Sequence, residues 1–338
     1  MSVTQKKEGA REKALVDGFG RSVSYLRLSV TDRCDFRCTY CMAEQMDFLP
    51  RAELLSYEEL ELIAARFIAR GVTKIRISGG EPLVRKGVME LFDRLSGYFG
   101  QGLSELTLTT NGSQLPKYAA PLKALGVERV NISLDTLDAD RFAALTRIGR
   151  IEQTLAGIDA ALEAGLAVKL NTVAMAGVNE DEIEALIRFA HGRGMDLSLI
   201  ETMPMGAVET DREADFLPLT AVRAGLEDRF TLTPLPDSTG GPARYVRVEE
   251  TGGRLGFISP LTQNFCAGCN RVRLTCTGQL YLCLGRDEAV DFRAAVRGDD
   301  PHQAVDAALD RAMIRKPEAH DFRMDRMAVP RTMSVTGG

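Results

Sequence analysis

Cys34-Asp35-Phe36-Arg37-Cys38-Thr39-Tyr40-Cys41 sets three cysteines in a C-x3-C-x2-C run just after a short strand-like segment. Thiolates at this spacing can wrap one iron–sulfur cube from a single loop, while the fourth iron finds no ligand there. A vacant iron can coordinate a small molecule directly, so the run points to chemistry rather than to electron carriage alone. Two other readings stand beside it. Structural zinc needs four ligands, commonly in paired hooks, and no fourth Cys or His lies nearby. Plain buried thiols would need no shared ligand at all.

Composition narrows the classes. The 338 residues are 45% apolar, enough for one large domain or two ordinary ones. A net charge of −5 and a pI near 5.5 give no general basic surface for nucleic acid or an anionic membrane, so local basic groups need local explanations. No apolar run approaches the ~18 residues of a membrane span, and the start lacks the apolar core of a signal peptide. The expected location is the cytoplasm. Seven cysteines in a reducing compartment argue for metal or redox chemistry over disulfide staples, and an odd count fits that better.

Working outward from the cysteine run, Tyr25 to Val30 alternates apolar and polar residues at the period of a strand, with Arg27 on the polar side. Residues 1–20 are charged and read as a mobile arm. Beyond the run, Ser56 and Glu59 form an S-x-x-E capping box that opens a helix with Leu60, Ile63, Ala64, Phe67 and Ile68 on one face. Strands near 72–77, 106–110, 129–134, 167–173 and 196–200 then alternate with helical patterns. Six parallel strands with right-handed crossovers follow. A doubly wound open sheet satisfies that pattern too. The expected fold is α/β, an incomplete (β/α)6 barrel, because polar residues gather at the carboxyl ends of all six segments. The alternation ends near Phe230, and Thr233 to Pro242, rich in Pro and Gly, reads as a linker or long loop. The expected domains are therefore 1–232, the partial barrel, and 233–338, an α+β extension holding a second cysteine group and binding substrate.

That group is Cys266-Ala267-Gly268-Cys269, then thirteen residues, then Cys283. Three thiolates again suit a cluster with one open iron; zinc with Cys276 as fourth ligand is the alternative. Between the cysteines lie Arg271 and Arg273, whose i, i+2 spacing puts two planar forks on one face of a strand, a shape suited to phosphate oxygens. Arg27, Arg76 and Lys169 would point into the same lumen. Buried charges need an offsetting anion, and a converging basic cluster in an acidic protein implies a highly charged small ligand such as a nucleoside triphosphate. Alternatively, each cation pairs with a local carboxylate such as Glu81 or Glu201. Ser78-Gly79-Gly80-Glu81-Pro82 ends the second strand, where glycines would let a ligand approach the backbone.

The cysteine run, with aromatic Tyr40 before its third cysteine, resembles the signature of the radical S-adenosylmethionine (SAM) superfamily. The resemblance implies that Cys34, Cys38 and Cys41 hold a 4Fe–4S cluster whose open iron chelates SAM and, on reduction, releases a 5′-deoxyadenosyl radical. Tyr40, Gly80, Ser133 and Met203 match positions around that ligand. Over nearly the whole chain, Gly79-Gly80-Glu81-Pro82, Thr109-Thr110-Asn111-Gly112, Asn131 to Asp135, the Cys266–Cys283 group and Gly337-Gly338 are similar to the GTP 3′,8-cyclase family of molybdenum-cofactor biosynthesis.

That likeness implies a lyase with a second 4Fe–4S cluster on Cys266, Cys269 and Cys283. GTP would be held by Arg27, Arg76, Thr109, Lys169, Arg271, Val272 and Arg273, and the Gly337-Gly338 tail would reach the active site. It further implies a homodimer, a flavodoxin- or ferredoxin-like electron donor, and transfer of product to a cyclic pyranopterin monophosphate synthase. Ser198 stands where the family usually has Arg, Ser78 where Thr is commoner, and Cys276 is an extra, structural thiol. The rival readings are a radical peptide- or sulfatase-maturation enzyme and a non-catalytic iron–sulfur or zinc protein.

Overall fold

A computed structural model describes residues 13–206, 208, 211–236 and 240–337. Strands β1 (Tyr25–Ser29), β2 (Lys74–Ser78), β3 (Glu105–Thr110), β4 (Arg129–Ser133), β5 (Ala167–Ala174) and β6 (Asp196–Glu201) run parallel and side by side in chain order. Helices α1 (Tyr57–Ala69), α2 (Val88–Ser96), α3 (Leu115–Ala124), α4 (Ala139–Thr146), α5 (Ile151–Glu163) and α6 (Ile183–Gly192) make the crossovers. The period-two pattern is realised: Leu26, Leu28, Ile75, Ile77, Leu106, Leu108, Val130 and Ile132 are buried in the core, while Tyr25, Arg27, Arg76, Thr109 and Lys169 face a central chamber. Fully burying each such aliphatic chain contributes about 1.5–3 kcal/mol. This is the incomplete (β/α)6 barrel expected from the sequence. The capping box at α1 is present: Glu59 N–H donates to Ser56 Oγ at 3.2 Å, and Ser56 N–H donates to Glu59 Oε2 at 2.6 Å.

The chain beyond β6 extends the same sheet at both ends. Helix α7 (Leu219–Glu227) precedes β7 (Leu232–Leu235), β8 (Arg244–Val248) and β9 (Arg254–Ile258), and β9 pairs parallel with β6. Strand β10 (Arg271–Leu274) pairs parallel with β1, and β11 (Gln279–Tyr281) and β12 (Ala289–Asp291) follow antiparallel. Order across the sheet is β12-β11-β10-β1-β2-β3-β4-β5-β6-β9-β8-β7. Helices α8 (Arg293–Val296), α9 (Pro301–Arg315) and α10 (Met333–Thr336) complete the chain. Arg66 on α1 grips Asp306 on α9 at 2.6 Å, and Phe67 stacks on Phe292 with centroids 6.0 Å apart.

Two expectations are corrected. Thr233 to Leu235 is a strand, not a linker; Pro234 is tolerated because β7 is the outermost strand and owes no second neighbour an N–H. Within residues 13–20 the arm is anchored at two points although most of it is exposed: Leu15 is 1% exposed, Val23 N–H donates to its carbonyl at 2.8 Å, and Asp17 accepts from Arg21 Nε at 2.7 Å. The rest of that arm, 1–12, lies outside the described residues. Among the described residues no helix is long and apolar enough to cross a membrane.

Candidate active site

The first cysteine loop leaves β1 and is tied to the ends of three neighbouring elements. Asp35 accepts from Asn111 Nδ2 at 2.7 Å and from Ser113 Oγ at 2.6 Å after β3; Tyr40 O–H donates to Asp135 Oδ2 at 2.6 Å after β4. Arg37 N–H and Thr39 N–H reach Thr146 and Leu145 carbonyls on α4, each at 2.9 Å. Cys34, Cys38 and Cys41 thereby line the chamber wall. Burial pushes the thiols of Cys34 and Cys41 up to about 12, with Glu81 and Asp35 adding to it at Cys34 and Asp135 at Cys41.

The glycines after β2 make a backbone contact that the sequence did not announce. A Cβ on Gly79 would stand 2.5 Å from the Thr31 carbonyl oxygen, and one on Gly80 would stand 2.4 Å from that of Arg33. Their smallness lets two backbones touch, with Gly80 N–H donating to Thr31 O and Glu81 N–H to Arg33 O, each at 2.8 Å. The loop after β2 is thus locked against the root of the cysteine loop, and Gly80 still lines the chamber. Glu81 is fully buried; burial pushes its carboxyl up to about 8 against hydrogen bonds from Asn111 N–H at 2.7 Å, Leu83 N–H at 3.0 Å and Thr110 Oγ1 at 2.9 Å. Glu201 likewise serves backbone, accepting from Leu261 N–H at 2.9 Å and Thr262 N–H at 3.2 Å. Among the described residues, Glu81 and Glu201 spend their oxygens on these backbone and hydroxyl donors and not on the chamber cations.

Those cations share one chamber, four of them on adjacent strands β10, β1 and β2 and Lys169 across it on β5. Register places Arg273, Arg27 and Arg76 abreast on β10, β1 and β2, with Arg271 beside Tyr25 one layer away. Arg76, Lys169 and Arg273 are all under a tenth exposed, and Arg27, Arg76, Lys169, Arg271 and Arg273 line one chamber with Thr109. Arg76 Nε, Arg271 Nε and Thr109 Oγ1 are buried without a partner, which is costly unless a polar ligand meets them. Burial pushes Arg76 down to about 10; burial, then the charges of Arg76 and Arg129, push Lys169 down to about 7. Tyr25 goes the same way for another reason: burial opposes ionisation, but Arg76, Arg27 and Lys74 together bring its phenol down to about 7. Lys169 donates to the Tyr245 hydroxyl. Sequence reasoning missed both tyrosines. Tyr25 was legible, standing two residues before Arg27 on the same face; Tyr245 on β8 was not, since nothing in its surroundings places it over β5.

Cys266, Cys269 and Cys283 line the chamber as well, on segments flanking β10 and β11. Cys276 is 1% exposed and does not line it, so the zinc reading loses its fourth ligand. Among the described residues no group of three or more His, Cys, Asp or Glu is arranged to hold a metal ion. Unlike the first set, Cys269 is held below the ordinary thiol range: burial opposes this, but Lys316 and Arg271 outweigh it.

Tyr40, Gly80, Ser133, Met203 and Val272 also line the chamber. The tail touches the lining: Met333 is part of it, Arg273 donates to the Gly337 carbonyl, and a Cβ on Gly337 would stand 2.0 Å from Ser78 Oγ. Gly338 lies outside the described residues. Ser198 is fully buried against Gly256, its hydroxyl unpartnered, and does not line the chamber.

Comparison with known proteins agrees with this geometry. Residues 28–190 match the Radical SAM superfamily, and residues 195–322 match Molybdenum Cofactor Synthesis C. A GTP 3′,8-cyclase of Rhizobium etli is 60% identical over 328 residues, covering 96% of this chain and 94% of its own. One of Erythrobacter litoralis is 61% identical over 327 residues, covering 96% and 98%. Among solved structures, Streptococcus suis SuiB bound to S-adenosylmethionine superposes with a TM-score of 0.60 at 16% identity, over 84% of this chain and 67% of that one, a likeness of fold alone.

Proposed function

The chain belongs to the GTP 3′,8-cyclase family of radical SAM enzymes, and we infer that it converts GTP to (8S)-3′,8-cyclo-7,8-dihydroguanosine 5′-triphosphate, the first step of molybdenum-cofactor biosynthesis. The observation that carries this reading is one chamber lined by two three-cysteine sets and by a group of buried cations with unpartnered donors between them. Identity of 60% across 96% of the chain leaves no support for a peptide- or sulfatase-maturation enzyme or a non-catalytic metal protein.

When bound, a 4Fe–4S cluster and SAM would supply a 5′-deoxyadenosyl radical able to abstract the C3′ hydrogen of GTP. Cys34, Cys38 and Cys41 are the proposed ligands of that cluster, with Tyr40, Gly80, Ser133 and Met203 around SAM. Cys266, Cys269 and Cys283 are the proposed ligands of a second. Arg27, Arg76, Lys169, Arg271 and Arg273 would neutralise the triphosphate, Thr109 would donate a hydroxyl bond, and Val272 would pack between the two arginines' strand positions. Gly337 stands beside Arg273, and the Gly337-Gly338 tail is proposed to serve the active site. Holding both reactants in a dry, prearranged space is what the protein contributes. Labour is proposed to divide near 232/233, within β7, the preceding part holding SAM and, through Arg27, Arg76, Thr109 and Lys169, part of the substrate, and the following part the second cluster and the rest of the substrate. The enzyme is proposed to work in the cytoplasm as a homodimer, reduced by a flavodoxin- or ferredoxin-like donor and passing product to a cyclic pyranopterin monophosphate synthase. Anaerobically reconstituted protein given GTP deuterated at C3′ should yield deuterated 5′-deoxyadenosine. Unlabelled 5′-deoxyadenosine would sink the reading.

GTP binding should also take up protons. In the free chamber Lys169 and Tyr25 both titrate at about 7. A triphosphate favours charged lysine and neutral phenol, raising both values. At pH 6 both groups already hold their protons, so uptake is small; at pH 8 both must acquire them on binding. Affinity therefore falls as pH rises above 7, by up to about tenfold per pH unit for each proton taken up. Calorimetric titration in buffers of different ionisation enthalpy reads the uptake directly, and Lys169→Met should remove the lysine's share.

A further inference from the structure

The two cysteine sets sit in opposite electrostatic surroundings. Glu81, Asp35 and Asp135 face the first. The second is faced by Lys316, a residue that the proposed function leaves unused. Lys316 follows the last residue of α9 and is 3% exposed. Pro317 disfavours a helical conformation at the preceding residue, so the chain turns extended and the side chain is delivered inward. The turn is held from outside by Arg21, which donates to the Pro317 and Glu318 carbonyls, each at 2.6 Å.

The ammonium has three donors and three recorded acceptors: Leu282 O at 2.9 Å, Arg271 O at 3.2 Å and Cys269 Sγ at 3.7 Å. Leu282 immediately precedes Cys283, and Arg271 lies two residues past Cys269, so one side chain braces both segments that bear the second cysteine set. Two carbonyl dipoles satisfy hydrogen bonds but do not cancel a whole buried charge. A metal-bound thiolate at Cys269 would. Hydrogen bonds to cluster sulfurs and nearby charge are the protein's means of setting a cluster's potential.

Resting on the proposed second cluster, we propose that Lys316 is a positioning residue that donates to the Cys269 sulfur and raises that cluster's reduction potential. A positive charge beside the sulfur stabilises the reduced, more negative state.

The test is a redox titration followed by electron paramagnetic resonance, with iron analysis, on anaerobically reconstituted full-length protein. A Cys38→Ala background isolates the second cluster. Lys316→Gln keeps donors for the carbonyls but loses the charge, whereas Lys316→Arg keeps the charge. The glutamine variant should shift the reduction equilibrium at least tenfold toward the oxidised state, a fall of about 59 mV for one electron. The arginine variant should stay within about threefold of the parent. Loss of the second cluster in the glutamine variant alone also supports the role of charge. An unshifted glutamine variant, an arginine variant shifted as far, or loss of the cluster in both would overturn the inference while leaving the second cluster in place in the parent. A parent without that cluster overturns both.

Discussion

Cys38→Ala is expected to bind about half the iron of the parent protein and to release no 5′-deoxyadenosine from SAM above background. Cys38 is the middle thiol of a loop whose other contacts are backbone and carboxylate, and Cys41 N–H and Met42 N–H both hang on the Cys38 carbonyl, at 3.0 and 3.1 Å. Alanine keeps those backbone bonds, so the loop keeps its course and loses a ligand. With two thiolates left, burial works against each remaining thiolate in turn, as the values of about 12 at Cys34 and Cys41 make plain. The companion substitution separates the two sites. Cys269→Ala should also halve the iron, yet still cleave SAM, and form no cyclised nucleotide. Iron content, 5′-deoxyadenosine and product measured on the same samples decide it; equal loss of SAM cleavage in both variants would contradict separate roles.

Arg76→Ala and Arg273→Ala should each weaken GTP binding by about 10–100-fold, the loss of one charge-assisted bond of about 1.5–3 kcal/mol. Stability should move the other way or not at all at Arg76. Its guanidinium is buried at 8% exposure, its Nε has no partner, and its neighbours Arg27 and Arg129 repel it, although the Tyr25 ring lies beneath it at 5.6 Å. Removing a charge that is poorly offset in the free protein relieves strain that only the ligand relieves in the complex. The melting temperature of the free variant should equal or exceed that of the parent while GTP-induced stabilisation shrinks. Arg76→Lys should fall between, since it restores charge without the planar fork. A variant that loses stability and affinity together would show that Arg76 is a structural group and not a ligand-facing one.

Much of the site was legible in the chain because its parts obey short periods. The C-x3-C-x2-C run and the C-x2-C pair are local, and Arg27, Arg271 and Arg273 declare their face by alternation within a strand. Ser198 shows where that legibility ends. It stands where the family usually has Arg, yet the chain tucks it against Gly256, outside the lining. Tyr245, from a strand added beyond β9, reaches Lys169 instead. The glycines after β2 were read as a close approach to a ligand; that they also meet the backbone at Thr31 and Arg33 was not legible, because which backbone comes near depends on how two loops distant in sequence are stacked.

By itself the sequence determined the barrel, the two cysteine sets and the basic character of the chamber, since each follows from spacing within a strand, a turn or a loop. Only the tertiary structure decided that β10 docks beside β1 and β9 beside β6, so that the late segment completes the early sheet. It alone brought Arg273 abreast of Arg27 and Lys316 against Cys269. Those pairings join residues hundreds of positions apart or on different elements, and burial free energy summed over the whole sheet fixes them; no local preference encodes them.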